Sequence, residues 1–245
     1  MQNHLKKEAA ENQILLRVPF AQHGFDIFPS ITAQCVVPFV ERYLVHSIKN
    51  SSRKETMNTE IQTQSETVSE SEALVLREDN EGLVTLTLNR PRQFNALSEE
   101  VLAALQVELD RIAEDQQARL VVIAGNGKAF CAGHDLKQMS AKREEDYYRT
   151  LFKQCSKMML TLNQMPQPVI AKVQGIATAA GCQLVAACDL AVVADDSRFA
   201  TSGINVGLFC STPSVPVSRN LGRKQAMELL LTGHFIDAHL SLIHI

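Results

Sequence analysis

The 245-residue sequence lacks tryptophan, has only six cysteines and contains no run of 18 uncharged apolar residues. The absence of such a run excludes a membrane-spanning helix. Six cysteines are too few for a disulfide framework in a chain of this length, and their apolar neighbours indicate reduced, buried thiols in an intracellular compartment. Neither sign of charge dominates, with 24 Lys and Arg residues against 27 Asp and Glu residues. The charge therefore gives no indication of a nucleic-acid partner.

The composition changes near residue 75, and residues 1–75 are predicted to form a leader outside the folded domain. Residues 48–72 are almost all Ser, Thr, Glu, Gln, Asn and Lys. Such a segment buries too little apolar surface to offset its ordering entropy, which is typical of a disordered linker. Residues 13–49 are apolar and basic with only two acidic residues, as in a mitochondrial transit sequence. Two glutamates in the first twelve residues weaken that pattern, so an untargeted tail remains the alternative.

The pattern of apolar residues becomes regular from residue 83. Val84, Leu86 and Leu88 alternate with threonine, which predicts a half-buried strand. Ser98 precedes leucines at helical spacing that continue to Ile112, so Ser98 is the expected N-cap of a helix. Alternating strands and helices predict an α/β fold. The later predicted strands are 120–124, 169–173 and 190–194, and the later predicted helices are 146–163, 179–187 and 224–231.

Most motifs for cofactors and metals are absent. Gly125–Lys128 partly matches the sequence of a phosphate-binding loop. However, Val122 stands where that motif needs its first glycine, and Ala129 stands where it needs Ser or Thr. No GxGxxG, GxSxG, HExxH or CxxC sequence occurs, which removes the usual signals of dinucleotide, serine hydrolase and zinc sites. Histidines near the chain ends, such as His239, are expected to be solvated. The sequence therefore predicts no metal and no resident cofactor.

Two loops rich in small residues carry a different kind of signal. Lys128–Lys137 passes through Ala-Gly into a polar helix start, and Val173–Leu184 passes from a strand through small residues into a helix. Small residues at a helix start let backbone N–H groups approach a ligand closely. Two N–H groups directed at one point form an oxyanion hole. The alternative for each loop is a tight turn that needs small residues for packing.

These loops, in this order and about 45 residues apart, resemble the crotonase (enoyl-CoA hydratase/isomerase) superfamily. The segments Asn89–Pro91, Asn95–Leu97, Cys188–Leu190 and Leu231–Gly233 match the same family. The resemblance covers roughly residues 76–240. It implies a crotonase-like α/β fold built from repeated ββα units.

The resemblance also implies a domain at 76–245 from which the C-terminal helices of the family are missing. In the family these helices close the acyl pocket and build contacts in a homotrimer or hexamer. The apolar surface that they cover is expected to be exposed here, and assembly of this chain is expected to be poor. The implied ligand is a coenzyme A thioester, with no other cofactor. The implied role is fatty acid metabolism in the mitochondrial matrix.

In the family, two backbone N–H groups donate hydrogen bonds to the thioester carbonyl of an acyl-CoA. By their positions in the matching loops, these donors would be His134 and Ala180. The family usually has three glycines where this chain has Ala179–Gly181, and a backbone donor survives the change to alanine. The contacts to CoA and to the acyl group would involve Ala96, Ala132, His134, Asp135, Leu136, Lys137 and Ala180.

The acid–base groups of the family hydratases are replaced in this chain. Two glutamates activate water in those hydratases, and the matching positions are Gln183 and Gly203. Neither residue transfers a proton near neutral pH. Ordinary hydration is therefore expected to be nearly absent. Glutamates placed at both positions are expected to raise hydration if the pocket is otherwise intact.

Three functions remain open on the sequence. The chain is an acyl-CoA-binding module with little or no catalysis, an enzyme for isomerisation, decarboxylation or thioester hydrolysis, or an interaction protein with vestigial loops. The second function needs a carboxylate or histidine beside the acyl chain, and only His134 is a candidate. Its side chain is expected to point outward. Cys182 and Cys210 have no base nearby in the sequence and are expected to be inert thiols.

Overall fold

The structure, a computed structural model, describes residues 14–17 and 73–240. Most of the predicted leader and all of the polar linker lie outside the described residues. Ile14–Arg17 lies within the leader and forms strand β1, which the sequence analysis did not predict, at one edge of a sheet. The leader boundary also differs, because Val75 already begins strand β2.

In the described residues, the strands form two sheets. The larger sheet has the order β1-β8-β6-β4-β3-β2 and the smaller has the order β10-β9-β7-β5. Strand β3 is antiparallel to β2 and parallel to β4, and the pairs β4–β6 and β6–β8 are also parallel. After β1, the strands are β2 Val75–Asn80, β3 Leu83–Leu88, β4 Leu120–Gly125, β5 Ala129–Cys131, β6 Val169–Val173, β7 Ile176–Thr178, β8 Leu190–Ala194, β9 Arg198–Ala200 and β10 Ile236–Asp237.

The alternating residues of β3 form a half-buried strand, as predicted. Val84, Leu86 and Leu88 are buried, while the threonines between them are partly exposed. Strand β2 was not predicted because most of its residues are polar and exposed. A two-residue turn with positive φ at Glu81 and Gly82 joins the two strands, which is the backbone geometry of tight hairpins.

The helices follow the predicted positions closely. Ser98 caps the first helix, and its Oγ accepts a hydrogen bond from Val101 N at 3.4 Å. The helix that contains Pro213 and Pro216 was not predicted, because proline disrupts the helical pattern. None of the helices in the described ranges combines the length and apolarity that a membrane crossing needs. The helices are α1 Glu99–Glu114, α2 Leu136–Ala141, α3 Glu145–Gln164, α4 Ala180–Ala187, α5 Ser211–Asn220 and α6 Arg223–Thr232.

The core includes the larger sheet, α1, which contacts β2 and β3, and α3, which packs against α1. Leucines at helical spacing on α1, including Leu102, Leu105 and Leu109, are fully buried together with Leu151 and Met158 of α3. Helices α4 and α5 also pack against each other. Several large apolar side chains in the later part of the described chain are exposed: Val206, Leu208, Phe209, Val215, Met227, Leu231 and Phe235.

Each strand of the larger sheet from β4 onward is followed by a short strand of the smaller sheet. Strand β5 follows β4, β7 follows β6, and β9 follows β8. The three short strands are parallel neighbours, with β7 between β5 and β9. Because the carboxyl ends of parallel strands lie at the same edge of a sheet, the loops after these strands lie side by side. This arrangement confirms the repeated ββα units and brings together the loops that carry the predicted site.

Candidate functional site

The loop after β5 contacts the loop after β7 through Gly133. Gly133 has a φ of +90°, and a Cβ atom at this position would lie 2.9 Å from Ala179 Cβ and 3.1 Å from Ala180 N. Any side chain there would force the two loops apart. The structure therefore places His134 and Ala180 in adjacent loops, the arrangement that a shared oxyanion hole needs.

The backbone N–H of His134 is left without a protein acceptor. On one side, Leu97 N donates to Gly133 O at 2.8 Å, and on the other, Asp135 N donates to Leu97 O at 3.2 Å. These bonds fix the loop on both sides of His134 without using its own N–H. Within the part of the chain that the structure describes, no acceptor lies in hydrogen-bond range of this group.

Among the described residues, the backbone N–H of Ala180 has no acceptor, because it lies in the first turn of α4. The first N–H groups of a helix have no intrahelical acceptor. Ala179 N donates to Ala200 O at 2.9 Å and Gln183 N donates to Ala179 O at 3.0 Å, so the residues around Ala180 are fixed. Ala179 has a φ of +51°, an uncommon conformation for a residue with a side chain.

A cavity of about 130 Å³ opens beside these two donors. Of the predicted contact residues, Ala132, His134, Leu136 and Ala180 line it, and the predicted acid–base position Gly203 lines it as well. Ala96, Asp135, Lys137 and Gln183 do not. Much of the wall is apolar and comes from Leu136, Met139, Phe152, Val206, Leu208 and Phe209.

The side chain of His134 points inward, which corrects the expectation that it faces solvent. Its ring packs edge-on against Phe152 of α3, with ring centroids 5.5 Å apart and an interplanar angle of 73°. Both ring nitrogens are buried, and neither has a hydrogen-bond partner among the residues that the structure describes. Burial lowers the pKa of His134, and the nearby Leu97 carbonyl opposes part of that change without reaching hydrogen-bond geometry. The imidazole is therefore neutral near pH 7.

The buried imidazole makes the stability of the fold depend on pH. At pH values between the lowered pKa of folded His134 and the ordinary histidine pKa of about 6.5 in the unfolded chain, the unfolded chain binds more protons than the folded chain. We therefore expect the free energy of unfolding to fall as the pH drops below about 6.5. Denaturation curves of the parent and His134→Phe between pH 7.5 and 5 measure this effect. The parent should lose more stability than the variant, and parallel losses would contradict the assignment.

Asp135 has a structural role. Its carboxylate caps α2 by accepting hydrogen bonds from Lys137 N at 3.1 Å and Gln138 N at 3.2 Å. It also forms an ion pair with Arg90 at 3.2 Å, and Arg90 donates a further hydrogen bond to Ala96 O at 2.9 Å. With its oxygens engaged in this way, Asp135 positions the first donor loop instead of transferring protons.

Asn95 stabilises the turn between β4 and β5, which leads into the first donor loop, a role that the sequence alone did not reveal. It is fully buried and has a φ of +53°. Its Nδ2 donates to Asn126 O at 2.9 Å and Ala129 O at 2.8 Å, and its Oδ1 accepts from Arg90 N at 2.9 Å. The match of Asn95–Leu97 to the family marked this position in the sequence, and the three hydrogen bonds supply its physical reason.

Replacement of Asn95 by alanine is expected to destabilise the fold by about 2–3 kcal/mol, because buried backbone groups lose their partners. The matched control is Asn126→Ala, since the Asn126 side chain is exposed and, among the described residues, bonds only to Asn89 at 3.0 Å. That change should cost about 0.5 kcal/mol or less. Urea denaturation measures both values, and equal losses would show that Asn95 has no special role.

The two acid–base positions differ in their surroundings. Gln183 is buried, and its Oε1 has no hydrogen-bond partner in the described part of the chain. Gly203 lines the cavity, but a Cβ atom there would lie 2.5 Å from Leu208 O and 2.8 Å from Cys210 Sγ. Leu208 N donates to Gly203 O at 2.9 Å, which holds the following loop against Gly203. A glutamate at position 203 would therefore clash with this loop, which argues against the expectation that glutamates at both positions raise hydration.

The cysteines near the site are protonated at neutral pH. Burial raises the pKa of Cys182 to about 12 and also raises the pKa of Cys210, which lines the cavity. His239, which was expected to be solvated, has its Nε2 2.5 Å from Asp195 Oδ1 on the surface. In the described ranges, no three His, Cys, Asp or Glu side chains are grouped so that they could hold a metal ion.

Comparison with known proteins agrees with this geometry. Residues 78–240 match the family model described as enoyl-CoA hydratase/isomerase. The mitochondrial enoyl-CoA hydratase domain-containing protein 3 of Xenopus laevis is 47% identical over 171 residues, which are 70% of this chain and 58% of the relative.

Solved structures with the same fold support the match. An enoyl-CoA hydratase structure from Mycobacterium smegmatis is 59% identical, with a TM-score of 0.70 over 71% of this chain and 68% of that one. The structure of human enoyl coenzyme A hydratase domain-containing protein 3 is 43% identical, with a TM-score of 0.68 over 70% of this chain and 68% of that one.

The matched segment is shorter than the relatives themselves. This chain spans 58% of the Xenopus protein and 61% of its Danio rerio counterpart. The segment nevertheless contains both predicted donor loops, and its sheets have the topology that the resemblance implied. The family model covers well over half of the sequence, so this chain belongs to the enoyl-CoA hydratase/isomerase family.

Proposed function

We propose that this chain binds a fatty acyl-CoA thioester in the cavity and does not hydrate enoyl-CoA. The carbonyl oxygen of the thioester accepts hydrogen bonds from the backbone N–H groups of His134 and Ala180. The observation that carries the proposal is that both N–H groups lie at one cavity and lack protein acceptors. Two such donors polarise a thioester carbonyl and stabilise negative charge on its oxygen.

The walls of the cavity suit an aliphatic acyl chain. Among the described residues that line it there is no Asp, Glu, Lys or Arg, so an acyl chain meets no uncompensated charge from them. Val206, Leu208 and Phe209 line the cavity and are also about half exposed. These three side chains give a longer acyl chain an apolar path out of the cavity, since burial of apolar surface is favourable.

The absence of acid–base groups favours binding without hydration. Addition of water to an enoyl-CoA needs one group that activates water and one that delivers a proton. Gln183 and Gly203 supply neither, and Asp135 is engaged with Arg90 and the start of α2. The donors at His134 and Ala180 are backbone groups, so changes of side chain leave thioester binding in place.

We further place the protein in the mitochondrial matrix, in fatty acid metabolism. Support comes from the acid-poor composition of residues 13–49 and from relatives whose names include the word mitochondrial. Import of a fluorescent protein fused to residues 1–75 tests the location. A trimer or hexamer, implied by the family resemblance, stays a prediction that sedimentation of this chain tests.

Isothermal titration with butyryl-, octanoyl- and palmitoyl-CoA tests the proposed function, with free CoA as the control. We expect saturable binding of at least one thioester and weaker binding of free CoA, because free CoA lacks the carbonyl and the acyl chain. Equal affinity for free CoA and every thioester would mean that the carbonyl and the acyl chain contribute nothing to binding, which contradicts the proposal. An absence of binding to all of them would overturn the proposal and favour an interaction protein.

A further inference from the structure

Helices α5 and α6 present apolar side chains to solvent beside positively charged ones. Val215 on α5 and Met227 and Leu231 on α6 are each between 49% and 55% exposed. Arg219 lies four residues after Val215, and Lys224 lies three residues before Met227, so each pair shares one face of its helix. We call these apolar side chains and their neighbouring cations the α5–α6 surface, which comprises Val215, Arg219, Arg223, Lys224, Met227 and Leu231.

The charge of this region differs in sign from that of the whole chain. The chain has a formal net charge of -3. Residues 204–227, in contrast, contain three basic residues and no Asp or Glu, and the three basic residues are exposed. One acidic residue, Glu228, follows on α6 and is also exposed. The α5–α6 surface is therefore positively charged on a chain whose net charge is negative, so an anionic partner is attracted to this side of it.

The α5–α6 surface adjoins the mouth of the cavity. Val206, Leu208 and Phe209 line the cavity and are also about half exposed. Their loop leads directly into α5, where Ser211 N donates to Phe209 O at 2.8 Å. The 3₁₀ turn at Ser202–Val206 packs against α6. The exposed apolar side chains of this loop therefore extend the apolar part of the surface from both helices to the cavity.

An apolar surface flanked by cations matches the chemistry of an anionic lipid bilayer. Exposed apolar patches of this kind mark interaction sites. Apolar side chains enter the boundary between headgroups and acyl chains, while Lys and Arg side chains are attracted to the phosphates of anionic lipids. A second copy of this chain fits less well, because a two-fold contact would bring the three cations of one copy close to those of the other.

We propose that the α5–α6 surface docks on a bilayer that contains anionic phospholipid. The three apolar side chains enter the boundary of the acyl chains, and the three cations lie at the level of the phosphates. In this orientation, the mouth of the cavity faces the membrane. The inference goes beyond the proposed function and does not depend on it, because docking uses no residue of the two donor loops.

Co-sedimentation of the full chain with vesicles, in the absence of any CoA ligand, tests the inference. We expect binding to vesicles of equal parts phosphatidylcholine and phosphatidylglycerol, much weaker binding to phosphatidylcholine alone, and release at high salt. Met227→Ser/Leu231→Ser and Arg223→Gln/Lys224→Gln should each weaken binding to the mixed vesicles by about tenfold or more, since the first removes apolar contact and the second removes charge.

Two matched control variants change exposed residues of α1 and α3. Val107→Ser/Leu160→Ser removes a comparable apolar area, since these side chains are 46% and 54% exposed. Lys153→Gln/Lys157→Gln removes the same charge from exposed positions of α3. Both controls should bind the mixed vesicles as the parent does. Equal losses in the control and test variants would mean that the attraction is not specific to the α5–α6 surface, and would overturn the inference.

A fluorescent reporter gives a measurement that does not depend on loss of binding. The sequence has no tryptophan, so Met227→Trp and Val107→Trp each carry a single indole. With the mixed vesicles, the emission of Met227→Trp should shift to shorter wavelength, because its indole enters the membrane interface. The emission of Val107→Trp should stay unchanged. The same spectra with and without vesicles for Met227→Trp would contradict docking through this surface.

The remaining outcomes assign the surface to another role. A chain that stays in the supernatant with every vesicle does not dock on lipid, and the inference is then wrong. Sedimentation as an oligomer that Met227→Ser/Leu231→Ser converts to a monomer, without vesicle binding, would assign the surface to a second copy of the chain. The thioester titration of the proposed function uses no lipid, so each of the two proposals can fail while the other stands.

Discussion

Purified protein is expected to hydrate crotonyl-CoA at least about 10⁴-fold more slowly than a family hydratase that has both glutamates, since each positioned acid or base contributes about 10²–10⁴-fold. The two positions hold Gln183, whose amide does not titrate, and Gly203, which has no side chain. The two proposed oxyanion donors would polarise the thioester but would move no proton. Loss of enoyl absorbance measures the rate, with a family hydratase assayed in parallel.

The double variant Gln183→Glu/Gly203→Glu is expected to remain inactive. A Cβ atom at position 203 would lie 2.5 Å from Leu208 O and 2.8 Å from Cys210 Sγ, so a glutamate there forces the loop that contains Leu208 to move. Gln183→Glu alone places a carboxyl at a site that is only 4% exposed, and burial there favours its neutral form. Robust turnover by the parent would reveal an acid or base not assigned here. Turnover by the double variant alone would show that the loop opens readily.

Gly133→Ala is expected to weaken acyl-CoA binding by about 30-fold or more, because two hydrogen bonds of about 1 kcal/mol each lose their geometry. The new methyl group would lie 2.9 Å from Ala179 Cβ and 3.1 Å from Ala180 N. It would separate the loops that hold the two donors. Titration with octanoyl-CoA measures the loss of affinity.

Gly207→Ala provides the control for backbone strain. Gly207 has a φ of +79°, close to that of Gly133, but a Cβ atom there would meet no atom within 4 Å. Both variants should lose about 1–2 kcal/mol of stability from the left-handed backbone. Only Gly133→Ala should lose affinity strongly. Equal loss of affinity in the two variants would mean that strain, and not separation of the donor loops, weakens binding.

Local patterns in the sequence predicted most of the helices and strands. Ser98 followed by leucines at helical spacing predicted α1, and the apolar run at Leu120–Ala124 predicted β4, because these signals lie within one element. Strand β2 was missed since it lies at the edge of the sheet, where polar residues are tolerated. Helix α5 was missed because its two prolines, Pro213 and Pro216, break the pattern although the helix packs against α4.

The donor loops were recognisable in the sequence because they depend on small residues at fixed positions. The direction of the His134 side chain could not be predicted from the sequence, because it depends on contact with Phe152 on a later helix. The lack of space for a side chain at Gly203 depends on the path of Leu208–Cys210, and no local sequence pattern predicts that path. The orientation of side chains at this site thus depends on contacts between separate elements. The positions of the predicted backbone donors depend on small residues that lie close together in the sequence.

The central claim, that two backbone N–H groups hold a thioester carbonyl, is tested most directly by removing that carbonyl from the ligand. Isothermal titration compares octanoyl-CoA with S-octyl-CoA, a thioether of the same chain length that lacks the carbonyl oxygen. We expect the thioester to bind about 30-fold tighter, since two hydrogen bonds of about 1 kcal/mol each depend on that oxygen. Equal affinities for the two ligands would contradict the claim.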